Sequence, residues 1–283
     1  MGSDACFRIG STHKVCQDYA IAGVLPDASP FAILSDGCSG VASPGDPGSP
    51  HTDFGARFMV RAAHKLATVS CDRSVRSDFA PSWVAARALG MAASAGLGRR
   101  AIDATLLQAV VEDGEVVVHQ VGDGVVVWRK RDTGNVRYRT VKFGNNMPFY
   151  ASYLVNDADL AQYLREAKTM EVEEGSRFGN TWIDTLSSVV DMDQFTPAAQ
   201  TFRFGNDNDL VVLMSDGAES FQRRDGSPVP LREVVDQLCD FRSYTGEFVQ
   251  RRVHKFMSKF CVENGWTHAD DLSVAAIYVG DLP

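Results

Sequence analysis

The chain has 283 residues, of which 45% are hydrophobic and 23% charged, and its formal net charge is −8. These values are typical of one large globular domain, and the acidic total disfavours generic binding to nucleic acid or to anionic membranes. No apolar run approaches the roughly 20 residues of a membrane-spanning helix. Residues 1–10 lack the basic flank and apolar core of a secretory signal, so we expect a cytoplasmic protein.

The cysteines show no metal-binding spacing. No CxxC pair occurs among the six, which disfavours a zinc site. In a cytoplasmic chain of this size we expect free thiols rather than disulfides. The six are Cys6, Cys16, Cys38, Cys71, Cys239 and Cys261.

The first half of the chain predicts two strands followed by two helices. Strands are expected over residues 17–25 and 31–35, and a Pro/Gly-rich loop over 41–51. A helix follows, with Thr52 and Asp53 as candidate N-caps and apolar residues at four-residue spacing. Those apolar residues are Phe54, Phe58, Ala62 and Leu66. A second helix is expected near residues 81–96, with Pro81 in its first turn.

The second half predicts antiparallel strands and then helices. Four apolar runs between residues 104 and 143 include two pairs joined by short glycine turns, which indicates hairpins. Residues 144–180 are predicted to be irregular apart from a helix at 157–168. Strands at 181–190, 199–204 and 210–214, helices at 231–241 and 246–263, and a strand at 272–280 complete the prediction. We therefore expect one α+β domain over residues 1–283, a β-sandwich flanked by helices.

Two separate apolar runs end in the same three residues, Ser-Asp-Gly, which places Asp36 and Asp216 at strand ends. Asp18, Asp123 and the Asp270-Asp271 pair lie at similar apolar edges. Carboxylates that meet without basic partners repel one another unless they share a cation, and oxygen ligands suit Mg²⁺ or Mn²⁺. The alternative is that each Asp-Gly pair simply turns the chain.

Six segments occur in an order that resembles the protein phosphatase 2C family of metal-dependent phosphatases. They are CQDYA, LSDGCSG, ATLLQAV, QVGDGVVVW, LMSDGAES and ADDLSVAAI, which together span Gln17 to Val279. The resemblance implies two antiparallel sheets packed face to face, with helices outside and a variable flap around residues 144–180. It also implies that Asp36 bridges two metal ions, that Gly37 offers a carbonyl to one, and that Asp216 and Asp270 hold the other.

The resemblance further implies that Asp18 ligates a metal or holds its waters, and that Asp123 helps to bind a weaker third ion. The implied reaction is hydrolysis of phosphoserine and phosphothreonine in proteins by a hydroxide bridging two Mg²⁺ or Mn²⁺ ions. The implied partners are a phosphorylated protein and a cognate kinase, and we expect a monomer. Two alternatives stay open: a non-catalytic phosphoprotein-binding relative, and a phosphatase of small phosphate esters.

Three positions depart from the family pattern. Cys38 and Ser39 stand where bacterial relatives usually have Met and Gly, and QVGDG lacks the Ser-Arg that follows the family's Gly-Asp. Where relatives often carry an arginine that grips phosphate, this chain has His13 with Lys14 beside it. His13 is therefore the predicted phosphate contact; the alternatives are that Lys14 makes the contact, or that His13 points into the protein.

Overall fold

The computed structural model describes residues 1–38, 51–69, 79–166, 169–191 and 200–280. Its strands are β1 Gly2–Arg8, β2 Asp18–Val24, β3 Pro30–Asp36, β4 Leu106–Glu112, β5 Glu115–Val121, β6 Gly124–Lys130, β7 Val136–Phe143, β8 Thr169–Phe178, β9 Thr181–Asp191, β10 Gln200–Phe204, β11 Asn208–Met214, β12 Phe221–Gln222, β13 Thr267–His268 and β14 Leu272–Tyr278. Its helices are α1 Thr52–Val69, α2 Pro81–Ser94, α3 Asp157–Glu166, α4 Leu231–Cys239, α5 Phe248–Lys255 and α6 Val262–Asn264. Short 3-10 turns cover Arg99–Ile102, Gly144–Asn146, Ala151–Val155 and Asp216–Glu219, and a π-helical turn, Phe256–Cys261, joins α5 to α6.

Two antiparallel sheets form the centre of the fold. One has the order β1-β14-β11-β6-β7-β8-β9 and the other the order β10-β5-β4-β3-β2. A core of buried side chains from both sheets, including Leu34 and Leu213, lies between them. Helices α1 and α2 cover the five-stranded sheet, and α4 and α5 cover the seven-stranded sheet. The predicted sandwich flanked by helices is confirmed.

Alternation of side chains along each strand produces these layers. In β3, Leu34 belongs to the core between the sheets, whereas Ile33 packs with the helices α1 and α2. Both residues are fully buried, which explains why this strand is an unbroken apolar run. A strand covered on both faces has no polar face to present, and its polar residues are confined to its end.

The turns behave as their residues predict. The pair Asp113-Gly114, with positive φ at both residues, joins β4 to β5, and residues 131–135 join β6 to β7. Between β5 and β6 the chain instead crosses from one sheet to the other. Gly122 and Gly124 both have positive φ there, a conformation that glycine adopts without steric cost. This crossing places Asp123 at the edge of the sandwich.

Four strands and one helix face differ from the sequence prediction, two of them being the two-residue strands β12 and β13. The prediction did not include β1, and the irregular structure predicted for residues 169–178 is wrong because β8 lies there. Helix α1 exists as predicted, but its buried face runs through Gly55, Met59 and Ala63, while Phe54 is 47% exposed. The predicted apolar stripe is thus displaced by about one residue around the helix.

The remaining sequence predictions concern the cysteines, several segments that the structure does not describe, and membrane-spanning helices. The described cysteines are all free, and Cys71 lies outside the described residues. Ser39, most of the predicted loop at 41–51, residues 167–168 of the predicted helix and residue 199 also lie outside them. No helix in the described parts of the chain is both long and apolar enough to cross a membrane.

Candidate active site

The acidic strand ends meet at one edge of the sandwich because neighbouring strands are antiparallel. Asp18 at the start of β2 lies directly opposite Asp36 at the end of β3. Asp216 follows β11, which pairs with β14 on one side and β6 on the other. Asp270 precedes β14 and Asp123 precedes β6, so the same edge receives all five carboxyl groups.

Four of these aspartates line an open cleft of about 220 Å³. Among the described residues that line it, none is a lysine, arginine or histidine. The described lining therefore concentrates negative charge with no basic side chain of its own, and the pairing of Asp270 with His13 comes from outside it. Its described lining consists of Asp36, Gly37, Cys38, Thr105, Asp123, Asn146, Pro148, Tyr150, Asp216 and Asp270.

Asp18 lies beneath this cleft rather than in its wall. Its side chain is fully buried, and its Oδ2 accepts a hydrogen bond of 2.7 Å from the Ser215 hydroxyl. Its Oδ1, like Oδ1 of Asp216, is buried without a hydrogen-bond partner in the described parts of the chain. Such unpaired buried oxygens are costly, which marks both carboxyl groups as sites for a further ligand.

Burial and mutual repulsion disfavour the ionised forms of these carboxyl groups. Burial raises the pKa of Asp18 to about 7. It also raises the pKa of Asp36 well above its ordinary value, and the charges of Asp18 and Asp216 add to this effect. The pKa of Asp123 is raised by burial and by Asp216, and that of Asp216 by burial and by Asp270. One group of interacting charges thus includes all five aspartates.

The repeated Ser-Asp-Gly ending has a structural reason in each residue. Each serine is buried and anchors the strand end: Ser35 Oγ donates to Thr105 O at 2.5 Å, and Ser215 donates to Asp18. Each glycine gives room for another backbone, since a Cβ on Gly37 would lie 2.5 Å from Thr52 O. A Cβ on Gly217 would lie only 1.7 Å from Asp271 O. These two positions require glycine because another backbone segment lies close to them, and not because the chain makes a sharp turn with positive φ.

His13 and Lys14 occupy different surroundings. The His13 side chain is 19% exposed, with Nδ1 3.0 Å from Asp271 Oδ2 and Nε2 3.5 Å from Asp270 Oδ1. Burial alone lowers the pKa of His13, but Asp271 and Asp270 outweigh it and raise the pKa. Lys14 is exposed. Neither side chain is among the described residues that line the cleft.

Sequence reasoning did not single out several residues that build the site. Ser215 holds Asp18, and Thr105 accepts a hydrogen bond of 3.2 Å from the Asp36 backbone at its hydroxyl. Tyr150 and Asn146 reach the cleft from the segment after β7. Ser215 and Thr105 lie inside quoted motifs, so their positions were a usable signal, whereas Tyr150 and Asn146 lie in the segment that the sequence marked only as a variable flap.

The chemistry of this edge fits a hard divalent cation. The donors are carboxylate oxygens and a backbone carbonyl, the type that Mg²⁺ and Mn²⁺ prefer, and two buried carboxylate oxygens lack partners. In the described parts of the chain, however, no three His, Cys, Asp or Glu side chains already stand in the arrangement of a metal site. The carboxyl groups converge on one cleft without being arranged around an ion.

Comparisons with known structures show the same fold at low sequence identity. Serine/threonine phosphatase Stp1 from Staphylococcus aureus is 11% identical, with a TM-score of 0.52 and coverage of 99% of this chain and 96% of that one. The S. agalactiae serine/threonine phosphatase is 14% identical, with a TM-score of 0.51 and coverage of 98% and 99%. A bacterial serine phosphatase bearing an R161A mutation is 10% identical, with a TM-score of 0.51 and 98% coverage of both chains.

The family is shown by the match of the sequence to the family as a whole and not by a single relative. No curated protein matches the chain. The family described as protein phosphatase 2C matches residues 10–258, which is most of the chain and includes four of the five clustered aspartates. The chain belongs to the protein phosphatase 2C family.

Proposed function

We propose that the protein is a Mg²⁺- or Mn²⁺-dependent phosphatase of phosphoserine and phosphothreonine proteins. The observation that carries the proposal is the convergence of Asp36, Asp123, Asp216 and Asp270 on one cleft, above the buried Asp18. Family membership gives this cleft its reaction class, and the acidic lining gives it a need for cations. A phosphate ester carries negative charge, so the carboxylates alone would repel it.

In this proposal Asp36 lies between two cation sites, Gly37 offers its carbonyl to one of them, and Asp216 and Asp270 belong to the other. Asp18, held by Ser215, lies beneath both sites, as a ligand or as the acceptor for bound water. Asp123 serves a weaker third site together with Asp216. The chemistry that bound ions would supply is a lowered pKa for a water near the phosphorus and compensation of charge on the phosphoryl group.

The described residues leave protonation of the leaving group without an obvious protein donor. Cys38 stands at the cleft where some relatives have a histidine, and the described lining contains no histidine. Cys38 also lacks the phosphate cradle that a cysteine nucleophile uses, because no arginine follows it after five intervening residues. We therefore assign Cys38 to the wall of the site and not to the reacting groups.

The proposed substrate is a phosphorylated protein, and the kinase that phosphorylates it is a proposed partner of this enzyme. The proposed active form is a monomer.

The test compares a panel of phosphothreonine peptides with p-nitrophenyl phosphate, each with chelator, Mg²⁺ or Mn²⁺. We expect hydrolysis of the peptides only with metal, and loss of nearly all activity in Asp36→Asn and Asp216→Asn. Asp157→Asn, an exposed residue at the start of α3, is the matched control and should keep full activity. Full activity in excess chelator would refute the metal-dependent mechanism. Hydrolysis of the small ester alone would favour a phosphatase of small esters.

A further inference from the structure

A second cavity of about 250 Å³ lies beside the acidic cleft. The two share Cys38 and Tyr150 as wall residues, so they are neighbouring parts of one surface depression. Extended peptide advances by about 3.3–3.6 Å per residue. A peptide whose phosphorylated residue enters the cleft and whose chain runs past Cys38 and Tyr150 therefore carries its next few side chains past the second cavity. Nothing in the reaction proposed above uses this cavity.

One face of helix α3 forms a side of the second cavity. Its lining residues Asp159, Gln162, Tyr163 and Glu166 follow at intervals of three, one and three residues, which places them on one face of a helix. Opposite them lies the 3-10 turn Arg99–Ile102. The ion pair between Arg99 and Asp159 joins the two sides. This ion pair thus bridges the cavity from α3 to the 3-10 turn.

The charges around the cavity are compensated except at one end of α3. Asp159 pairs with Arg99. Burial raises the pKa of Asp103 above its ordinary value, and a hydrogen bond from Ser152 and the charges of Arg99 and Arg100 offset only part of this rise. Glu166 is exposed and accepts a 2.9 Å hydrogen bond from the neutral side chain of Gln162. Within the described residues no cationic side chain forms an ion pair with Glu166.

Three tyrosines and a methionine supply the aromatic and apolar part of the wall, to which Thr52 adds a polar side chain. Tyr153 lies between two other tyrosines, with ring centroids 5.6 Å from Tyr150 and 4.9 Å from Tyr163. Met147 completes this side. Lysine and arginine side chains lay their methylene stems on such surfaces while the charged head reaches a polar group, and aromatic rings attract the cation itself. An aromatic wall ending in an uncompensated carboxylate therefore suits a long cationic side chain.

We propose that this cavity binds a lysine or arginine side chain of the phosphoprotein substrate, within a few residues of the phosphorylated one. The proposal rests on the phosphatase function proposed above and adds the substrate class. The tyrosine wall holds the stem, and Glu166 pairs with the charged head. A substrate with an acidic residue at the same position places like charge against Glu166 and binds less well.

The test uses phosphothreonine peptides that differ at one position, from four residues before to four after the phosphothreonine. Each position carries Lys, Ala or Glu, and kcat/KM is divided by that for p-nitrophenyl phosphate on the same protein. At one or two positions we expect Lys to exceed Glu by about fivefold, the combined scale of attraction and repulsion at an exposed carboxylate. Glu166→Lys should remove or reverse this preference. Asp157→Lys, with the same charge change on the same helix, is exposed and outside the cavity, and should preserve it.

Binding of the same peptides to Asp36→Asn, measured by calorimetry, separates this proposal from the proposed reaction. If neither peptides nor p-nitrophenyl phosphate are hydrolysed, the phosphatase function fails, and preferential binding of Lys peptides would still support the cavity. Equal values for Lys and Glu peptides at every position would overturn the proposal. A preference for Glu would also overturn it, because that result indicates an anionic occupant held by Arg100. An equal effect of Asp157→Lys and Glu166→Lys would overturn it as well.

Discussion

At the scale of single residues, Asp271 serves the site from behind it. Its side chain is 1% exposed and accepts backbone hydrogen bonds from Gly10 N at 2.7 Å and Gln17 N at 2.5 Å, one on each carboxylate oxygen. These bonds hold the segment between β1 and β2 against the start of β14. Because Gln17 precedes Asp18 and Asp271 follows Asp270, one carboxylate fixes the relative positions of two proposed ligands.

Asp271→Asn tests this positioning. Asparagine has the same shape but one acceptor oxygen, so one of the two backbone N–H groups loses its partner and the pairing with His13 loses its charge. Leaving a buried donor unpaired costs about 1–3 kcal/mol. We expect a loss of that size in the free energy of unfolding, measured by urea denaturation. Asp225→Asn, in an exposed turn where Asp225 accepts from Ser227, is the control and should have little effect. An equal response of the two variants would contradict the positioning role.

His13 can be tested through its pairing with Asp271. The raised pKa of His13 means that the folded protein binds its proton more tightly than the unfolded chain. The stabilisation is therefore full below the unfolded pKa of about 6.5 and is lost as pH rises through the folded value. We expect His13→Ala to lower the free energy of unfolding at pH 6 more than at pH 9. His254→Ala, at an exposed position of α5, should show no such dependence.

Steady-state kinetics on the same variant decide whether His13 also contacts substrate phosphate, as the sequence predicts. A phosphate contact made equally in ground and transition states would raise KM in His13→Ala with little loss of kcat. If His13 only pairs with Asp270 and Asp271, KM should stay nearly unchanged in His13→Ala.

For the unfolding experiment, a loss of stability in His13→Ala that is the same at pH 6 and pH 9 would show that the pairing has no electrostatic part.

At the scale of elements, helix α1 depends on one close approach. A Cβ on Gly55 would lie 1.5 Å from Ala101 O, in the turn that carries Arg99 and Arg100. Backbone cannot yield as a flexible side chain can, so Gly55→Ala must push α1 away from this turn. Gly90 in α2 has no atom within 4 Å of its Cβ position, and it provides a matched helical control.

The two substitutions should therefore change stability in opposite directions. Alanine is a better helix former than glycine by about 0.5–1 kcal/mol, so Gly90→Ala should raise the free energy of unfolding by that amount. Gly55→Ala should lower it by about 1–3 kcal/mol, the usual cost of overpacking. Thermal unfolding of both variants beside the parent protein measures this. Stabilisation by Gly55→Ala would show that the close approach is absent in solution.

The elements also show what the sequence could predict. Apolar runs that are buried on both faces, such as β3 and β11, were predictable because composition alone marks them. Strand β8 was not, since charged residues interrupt it and Gly175 lies where the Tyr138 ring would meet a Cβ at 2.3 Å. Glycine is favourable at this position only because the Tyr138 ring of the neighbouring strand β7 occupies the space that a Cβ would need. The acidic strand ends were likewise predictable, whereas the second cavity depends on how α3 packs, which no local pattern encodes.

At the scale of the whole molecule, the fold gathers negative charge at one edge, where Asp18 is fully buried and the other carboxyl groups are partly withdrawn from water. Such an arrangement is costly whenever the carboxyl groups ionise without a cation. The raised pKa values of Asp18, Asp36, Asp123 and Asp216 express that cost. In chelator, the stability of the entire domain should therefore depend on pH in a direction opposite to ordinary acid denaturation.

The sign follows from proton binding. An aspartate with a raised folded pKa keeps its proton in the folded state while the unfolded chain, with a pKa near 3.9, has lost it. The free energy of unfolding of the metal-free protein should thus fall as pH rises from about 4.5 through about 7, the pKa of Asp18. For several interacting groups the change is on the order of a few kcal/mol. Urea denaturation in chelator across this range measures it.

Two additions make this measurement specific to the acidic edge. Asp36→Asn removes a charge from the centre of the cluster, so its stability should fall less steeply with pH than that of the parent. Asp225→Asn, far from the cleft lining and exposed, should keep the parental slope. Mn²⁺ at pH 8 should raise the stability of the parent, because a ligand that binds only the folded state stabilises it by mass action, and should act weakly on Asp36→Asn. A flat profile in chelator, with no response to Mn²⁺, would mean that the clustered carboxylates neither repel one another nor share a cation.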